Sequence, residues 1–362
     1  MTARMTTRKF FMKSYCKGLV ITREDIEHSY NLWSKALAGK KNHYRIIEEY
    51  GCVENLLEEL YLEISTRTLN IRPLHYYFHR EPTNGKLRRI GIQSVKQQIL
   101  DYIAIYTLTS FLEARIGYYQ VASIPGKGQL FAAKTIRKWS QQGGYWVHMD
   151  VHQCYPSIRP EKVKEILLKY IKSDDVHYII DVLLGSYERG LMIGSYFSLK
   201  MAQLVLSFGY HYIEGAGKTR RGKHKSLVTH QLHYMDDILL MSQDKRDLSA
   251  AATMLEVYFR EEFDIFMKPW KICKVGDDEP IDMAGFVVRP NRTTVRDSIF
   301  LRARHSLNSY NKNQCLSLAQ RVCSYWGWIK NADTFAFQYN NHVLETVRLA
   351  SQQISNSSRL LI

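Results

Sequence analysis

Asp236 and Asp237 stand side by side in Leu232-His-Tyr-Met-Asp-Asp-Ile-Leu-Leu-Met241, with apolar residues on both flanks. Neighbouring carboxylates in a buried setting repel one another and resist ionisation, so the arrangement is costly unless a cation binds there. Asp150 raises the same question near the end of Tyr145-Trp-Val-His-Met-Asp150-Val151, ahead of Tyr155. Three carboxylates brought together from two strands can hold two Mg²⁺ ions, with Mn²⁺ as an alternative, and such a pair stabilises the attacking and leaving oxygens of a phosphoryl transfer. An Asp-Asp pair alone would suit a hairpin turn equally well. The three acids in two apolar contexts carry the metal reading.

The elements that must position these acids show in the periodicity. Residues 22–65 read as helical, with Leu56, Leu57, Leu60 and Leu62 near helical spacing. Residues 66–93 read as a hairpin, in which Arg88, Arg89 and Ile90 follow a Thr83-Asn84-Gly85 turn. A long helix is expected over 95–113 and a second over 130–141, with Gly126 and Gly128 loosening the backbone between them. Short β-rich runs at 145–151 and 232–241 carry the aspartates, and helical patterns at 160–171 and 198–213 lie between them. A further helix at 248–262 precedes short strands near 265–267, 272–275 and 283–288. Strands separated by helices imply an α+β or α/β core with acids near strand ends.

Composition narrows the partner. Fifty Lys and Arg against 35 Asp and Glu give a net charge of +15 over 362 residues, with 45% hydrophobic and 12% aromatic residues. That describes a well-packed chain with a basic surface, and it excludes disordered, collagen-like and coiled-coil classes. The charge points to a polyanion, nucleic acid ahead of a membrane surface. Six scattered cysteines contain no CxxC pair, which argues against zinc or a disulfide framework and fits a reducing cytoplasm. Lys13 and Lys17 interrupt the apolar residues of the basic N-terminus, so no signal peptide is expected, and no run approaches the roughly 18 apolar residues of a membrane span. His224, His230 and His233 lack both cysteine partners and helical i, i+4 spacing, so they are not expected to hold a metal.

At these residues the chain resembles the reverse transcriptases. Tyr234-Met-Asp-Asp237 resembles that family's YxDD box, and Met149-Asp150 through Tyr155-Pro-Ser-Ile158 resembles its first palm motif. Gly190-Leu-Met-Ile-Gly-Ser-Tyr-Phe-Ser198 is similar to the intervening glycine motif, and Ile281-Asp-Met-Ala-Gly-Phe286 to the later palm strand. The boxes occur in the family's order and cover about residues 70–290.

The resemblance implies roles. Asp150, Asp236 and Asp237 become the catalytic metal ligands, with the Val151 backbone beside the metal and the triphosphate. Tyr155 matches the aromatic plate under the incoming sugar, which excludes a 2′-hydroxyl, although a packed core tyrosine would look the same. Lys86, Arg88 and Arg89 match the basic residues on the triphosphate, where bidentate arginine suits phosphate oxygens; a solvated charge cluster is the alternative. Ile193 and Gly194 face the nascent base pair. Many relatives carry glutamine at the place of Ile193, which offers only apolar contact and relaxes selectivity there. Diversity-generating and defence-associated bacterial reverse transcriptases share that departure. Ser198-Leu199 departs from the usual ending of the motif, so both subfamilies stay open. Ser123-Ile-Pro-Gly-Lys127-Gly-Gln129, with Lys134, resembles the template-contacting finger motif. Lys268 in Lys268-Pro-Trp-Lys271 matches a lysine-bearing palm element and is grouped with the nucleic-acid contacts. Trp326 in Cys323-Ser-Tyr-Trp-Gly-Trp328 matches a thumb segment, with aromatic core packing as the other reading. The basic stretch Lys218 to Lys225 is expected to be a loop that touches RNA or is simply solvated.

The expected fold is α+β, a right-hand polymerase of fingers, a palm with an antiparallel sheet plus helices, and a short helical thumb. The expected divisions are an N-terminal helical segment (1–65), fingers (66–144), palm (145–290, with part of the fingers interleaved) and thumb (291–362). No added RNase H, integrase or large maturase and endonuclease module is expected within this length. The expected activity is RNA-directed DNA polymerisation in a bacterial or phage-borne retroelement or antiphage defence system. Its partners would be a template or dedicated non-coding RNA, dNTPs and the DNA product; an accessory protein or a second copy of the chain stays open, and no membrane is expected. A template-independent or protein-primed polymerase, and a noncatalytic RNA-binding module with the same fold, are the alternatives.

Overall fold

The computed structural model of the chain describes residues 13–81, 85–220, 222–277 and 279–359. Four helices open it: α1 (Arg23–Lys35), α2 (Leu37–Asn42), α3 (Tyr44–Tyr50) and α4 (Val53–Ser65). A hairpin of β1 (His75–Arg80) and β2 (Leu87–Ile92) leads to α5 (Val95–Arg115) and α6 (Gln129–Ser140). β3 (Tyr145–Asp150) is followed by α7 (Cys154–Ser157), α8 (Pro160–Tyr170), α9 (Asp174–Gly185) and α10 (Tyr196–Gly215). Then come β4 (Gly217–Arg220), β5 (Lys223–Ser226), β6 (His230–Tyr234), β7 (Asp237–Ser242) and α11 (Lys245–Phe263). β8 (Ile272–Lys274), β9 (Ile281–Met283), β10 (Phe286–Val288) and β11 (Thr293–Val295) precede α12 (Asp297–Lys312), α13 (Leu316–Ile329), α14 (Phe335–Asn340) and α15 (Val343–Arg359).

The chain forms two compact units that interleave in sequence. The first comprises the described residues up to Gln120 together with Asp150–Leu227 and Ala250–Pro269; the second comprises Val121–Met149, Val228–Ser249 and the chain from Trp270 onward.

In the first unit α5 is the central post. Its start is set by a capping box, in which the Ser94 hydroxyl accepts from the Gln97 N–H and the Gln97 side chain accepts from the Ser94 N–H. Ile99, Leu100, Ile103, Ala104, Leu108 and Phe111 are buried as it packs among α1, α9 and α10. Trp33 of α1 is fully buried, and its indole N–H donates to Gln98 Oε1 at 3.1 Å. Lys96 is also buried and places its ammonium 2.7 Å from Glu59 and 2.5 Å from Glu63 of α4.

The polar centre of this unit is Asp101, fully enclosed on α5. Its Oδ2 accepts from the Ser195 hydroxyl at 2.6 Å and the Phe197 N–H at 3.2 Å, and its Oδ1 from the Gln93 amide at 3.1 Å. Ser195 caps α10, so the carboxylate sits at that helix's N-terminus, where negative charge is favoured. α5 thereby fixes the end of the 190–195 loop.

The second unit is built on a four-stranded sheet in the order β6-β7-β3-β8, with β6–β7 and β3–β8 antiparallel. β7 is buried from Ile238 through Ser242, and β3 buries Trp146, Val147 and Met149. A second sheet, β11-β10-β9, contacts α6 through β10. The C-terminal helices enclose a core of Leu307, Tyr310, Ala319, Val322, Val343 and Ala350. Trp328 packs instead on Phe286 of β10 and crowds Gly285, where a Cβ would meet the indole at 2.6 Å and φ is +82°. Only glycine meets both conditions.

Several elements differ from expectation. The run 232–241 is two strands, because the chain reverses at Met235-Asp236. The run 283–288 likewise reverses at Ala284-Gly285 to give β9 and β10. Residues 265–267 supply only an isolated bridge from Met267 to Val151. The expected basic loop is the β4–β5 ribbon, and α9 was not anticipated. Thr83 and Asn84 of the expected finger turn lie outside the described residues. Among the described residues no helix is long and apolar enough to cross a membrane.

Burial is the largest influence on Asp101 and raises its pKa from 3.8 to about 6, outweighing the hydrogen bonds that favour the carboxylate. The folded chain therefore holds this proton more tightly than the unfolded chain, so its contribution to stability is full below about pH 4 and is lost as pH rises through about 6. In urea titrations from pH 4 to 7, the Asp101→Asn variant is expected to lack that declining component, whatever its absolute stability. An unchanged slope would contradict the assignment.

Candidate active site

The β6–β7 hairpin presents the paired acids. Tyr234 and Asp237 are register partners, so Met235 and Asp236 form a two-residue turn. Met235 takes φ +55°, which such turns demand and a side chain resists by about 1–2 kcal/mol. Asp236 and Asp237 are both half-buried there. Asp237 Oδ1 lies 3.0 Å from Nε2 of His148 on the neighbouring strand β3, which brings the start of β7 beside the end of β3. His148 escaped the sequence reading. Its signal was strand alternation, since it stands two residues before Asp150 and shares that residue's half-buried side of β3.

Asp150 closes β3, and the segment after α11 runs alongside it. The Lys268 N–H donates to the Asp150 carbonyl at 2.8 Å, Val151 bridges Met267, and the His152 N–H donates to the Phe266 carbonyl at 2.8 Å. The Lys268 ammonium stands 2.6 Å from Asp150 Oδ1 but off the axis of a hydrogen bond. That buried oxygen thus has a cation beside it and no aligned donor, which is the environment of a hard oxygen ligand.

The residues expected at the nucleotide are knitted together in the first unit. Gln153 at φ +49° turns the chain into α7, which carries Tyr155. The Tyr155 carbonyl accepts from the Leu191 N–H at 2.9 Å, and Gly190 presses on the next residue, where a Cβ would lie 2.2 Å from the Pro156 oxygen. The Gly91 N–H of β2 donates to the Ile193 carbonyl at 2.9 Å, and a Cβ on Gly194 would lie 2.7 Å from the Gly91 oxygen. Ile193 and Gly194 are therefore docked on the strand that carries Arg88 and Arg89. Arg88 pairs with Glu81, while Arg89 stacks 3.6 Å from the Tyr76 ring centroid and pairs with Glu188 at 2.5 Å. The Lys86 carbonyl accepts from the Glu81 N–H at 2.8 Å, and the Lys86 side chain is exposed.

Within the second unit, Gly126 (φ +73°) and Gly128 (φ +105°) lead into α6. Gln129 at its first position hydrogen-bonds Tyr234 of the acidic hairpin, and burial pushes that phenol above its usual pKa. Lys127 is half-buried with its ammonium 5.8 Å from the Phe131 ring centroid, and burial lowers its pKa. Lys134 is exposed on the same helix. Trp326 is partly buried against the C-terminal helical core. His230 stacks on Trp139, with ring centroids 4.5 Å apart, and His233 is buried.

Among the described residues, no three His, Cys, Asp or Glu side chains form a ready-made metal cluster. The undirected Asp150 oxygen and the half-buried carboxylates of Asp236 and Asp237 are the hard oxygen donors that divalent cations take.

The family model described as "Reverse transcriptase (RNA-dependent DNA polymerase)" matches residues 79–288, more than half of the chain. The chain belongs to the reverse transcriptase family. That family is one of RNA-directed DNA polymerases, which are nucleotidyltransferases, and the mixed helices and strands of this chain are consistent with its right-hand polymerase fold. Reverse transcriptase domains use divalent metal ions, copy an RNA template and consume dNTPs to make DNA. A comparison with curated proteins finds no match. Among solved structures, the chain is similar to apo telomerase from Candida tropicalis, at 10% identity and a TM-score of 0.46 over 78% of this chain and 63% of that one. It is also similar to that telomerase truncated from its C-terminal domain, at 10% identity and a TM-score of 0.39 over 62% and 54% of the two chains. The chain thus spans less than two thirds of either protein.

In this reverse transcriptase the 190–194 loop is held by backbone contacts that leave no room for side chains. The Gly190→Ala variant must hold a Cβ at φ +59° against the Pro156 carbonyl, and is expected to lose at least about 2 kcal/mol of stability. A thermal melt equal to that of the parent would refute this packing.

Proposed function

We propose that this reverse transcriptase synthesises DNA on a dedicated non-coding or template RNA within a bacterial or phage-borne retroelement or antiphage defence system. In this reading Asp150, Asp236 and Asp237 hold two Mg²⁺ ions, with the Val151 backbone beside them. When bound, the ions activate the primer 3′-hydroxyl and neutralise charge on the departing pyrophosphate. The observation that supports the reading is the Asp236-Asp237 pair at the head of β7, with Asp237 3.0 Å from His148 of the neighbouring strand β3.

The remaining residues bind and orient. Lys86, Arg88 and Arg89 take the triphosphate, for which Arg88 and Arg89 exchange Glu81 and Glu188 for phosphate oxygens. Tyr155 lies under the sugar and rejects a 2′-hydroxyl by bulk. Ile193 and Gly194 pack beside the nascent pair, where an apolar side chain adds no hydrogen-bond check on base identity. Lys127, Gln129, Lys134, Lys268 and Trp326 contact template and primer. Residues 66–144 serve as fingers, 145–290 as palm and 291–362 as thumb, with 1–65 as an N-terminal helical segment.

The test is sequencing of DNA made by purified protein with its copurifying RNA, Mg²⁺ and dNTPs. DNA complementary to that RNA is expected, and synthesis by Asp236→Ala is expected to fall by at least about 10²–10³-fold while RNA retention persists. An untemplated product would favour the template-independent alternative. Equal biological effect from the variant would leave only a binding module.

A further inference from the structure

Lys268 and Asp150 are held together twice, once through the backbone and once through charge. The Lys268 N–H donates to the Asp150 carbonyl at 2.8 Å. Beside that bond Met267 bridges Val151, and the Phe266 carbonyl accepts from the His152 N–H. Pro269 follows, and a residue that precedes proline is steered to extended backbone. The backbone of Lys268 is therefore pinned at the end of β3, and its long side chain is the part with room to move. That side chain is 42% exposed, and its ammonium stands 2.6 Å from Asp150 Oδ1.

The two carboxylate oxygens of Asp150 differ. Oδ1 is sealed from solvent and accepts no hydrogen bond, so the ammonium holds it by charge without a directed bond. Oδ2 is not sealed in this way and has no hydrogen-bond partner among the described residues. Lys268 pairs with no other acid among the described residues. A flexible stem carrying a point charge can leave such a contact by rotation alone, with no fork of hydrogen bonds to break.

We propose that Lys268 is a resident counter-ion that competes with divalent cations for Asp150. In the free protein its ammonium covers Oδ1, and that oxygen is open to a divalent cation only when the side chain swings away. Positive charges gathered at one carboxylate repel, so Lys268 weakens metal binding by the unloaded protein. A phosphate of bound nucleic acid gives the displaced ammonium a second partner and relieves the competition. Metal and nucleic acid are then coupled through one lysine, and by linkage each raises the affinity for the other. The inference rests on the proposed role of Asp150 as a metal ligand.

Mn²⁺ is titrated into the full chain without nucleic acid, with the unbound ion read by electron paramagnetic resonance, for the parent, K268M, K268R and D150N. K268M is expected to bind on the order of tenfold more tightly than the parent. K268R keeps the charge and should bind no more tightly than the parent. Equal or weaker binding by K268M would overturn the inference. So would a gain of the same size on adding K268M to D150N, because the lysine acts only through that carboxylate. K268Q replaces K268M in the same titration should K268M fail to fold. A template-primer duplex is expected to tighten Mn²⁺ binding by a larger factor in the parent than in K268M, and equal factors would overturn the coupling. K268M matching the parent beside a weakened D150N removes this inference alone. D150N binding as the parent does would instead sink the metal role of Asp150.

Discussion

A carboxylate at a half-buried strand end loses hydration and needs a partner to compensate, and the acids of this chain answer to that constraint. Asp150 and Asp237 each have a nitrogen-bearing side chain against them. Lys268 stands at Asp150 and His148 at Asp237. His148 lies on the strand β3, and Lys268 follows Met267, which bridges Val151. The strained Met235 permits the two-residue turn that holds Asp236 at its tip and sets Asp237 at the start of β7. Divalent cations complete the offset in the proposed mechanism, and the family's use of such ions agrees with that chemistry.

A second set of constraints acts through the backbone. Gly190, Gly91 and Gly194 allow the 190–194 loop, the Tyr155 turn and β2 to approach closer than side chains permit. Asp101 then fixes the end of that loop through Ser195 and the first turn of α10. The buried carboxylate is therefore a positioning residue for a loop that includes Ile193 and Gly194.

Much of this was legible in the residues alone. Periodicity located the long helices α5, α10 and α11, because their apolar spacing is sustained over many turns. Strand counts failed where a reversal hides inside an apolar run. Met235-Asp236 lacks the Asn-Gly or Asp-Gly signature of a tight turn, so 232–241 read as one β-rich run. Helix α9 was overlooked although Ser173 accepts from the Val176 N–H and Asp174 and Asp175 occupy the first turn, a start signal visible in sequence. The ribbon at 217–226 read as a loop because six basic residues carry no strand periodicity. The partners of the acids were the least legible part, since Lys268 lies far from Asp150 in sequence and His148 is a single residue on a strand.

The central proposal is that Asp150, Asp236 and Asp237 share two divalent cations. Its most direct test is the stoichiometry of Mn²⁺ binding, followed by electron paramagnetic resonance with a template-primer and a non-hydrolysable dNTP present. Two ions per chain are expected for the parent protein, and fewer for each of Asp150→Asn, Asp236→Asn and Asp237→Asn. A stoichiometry that none of these substitutions changes would contradict the account.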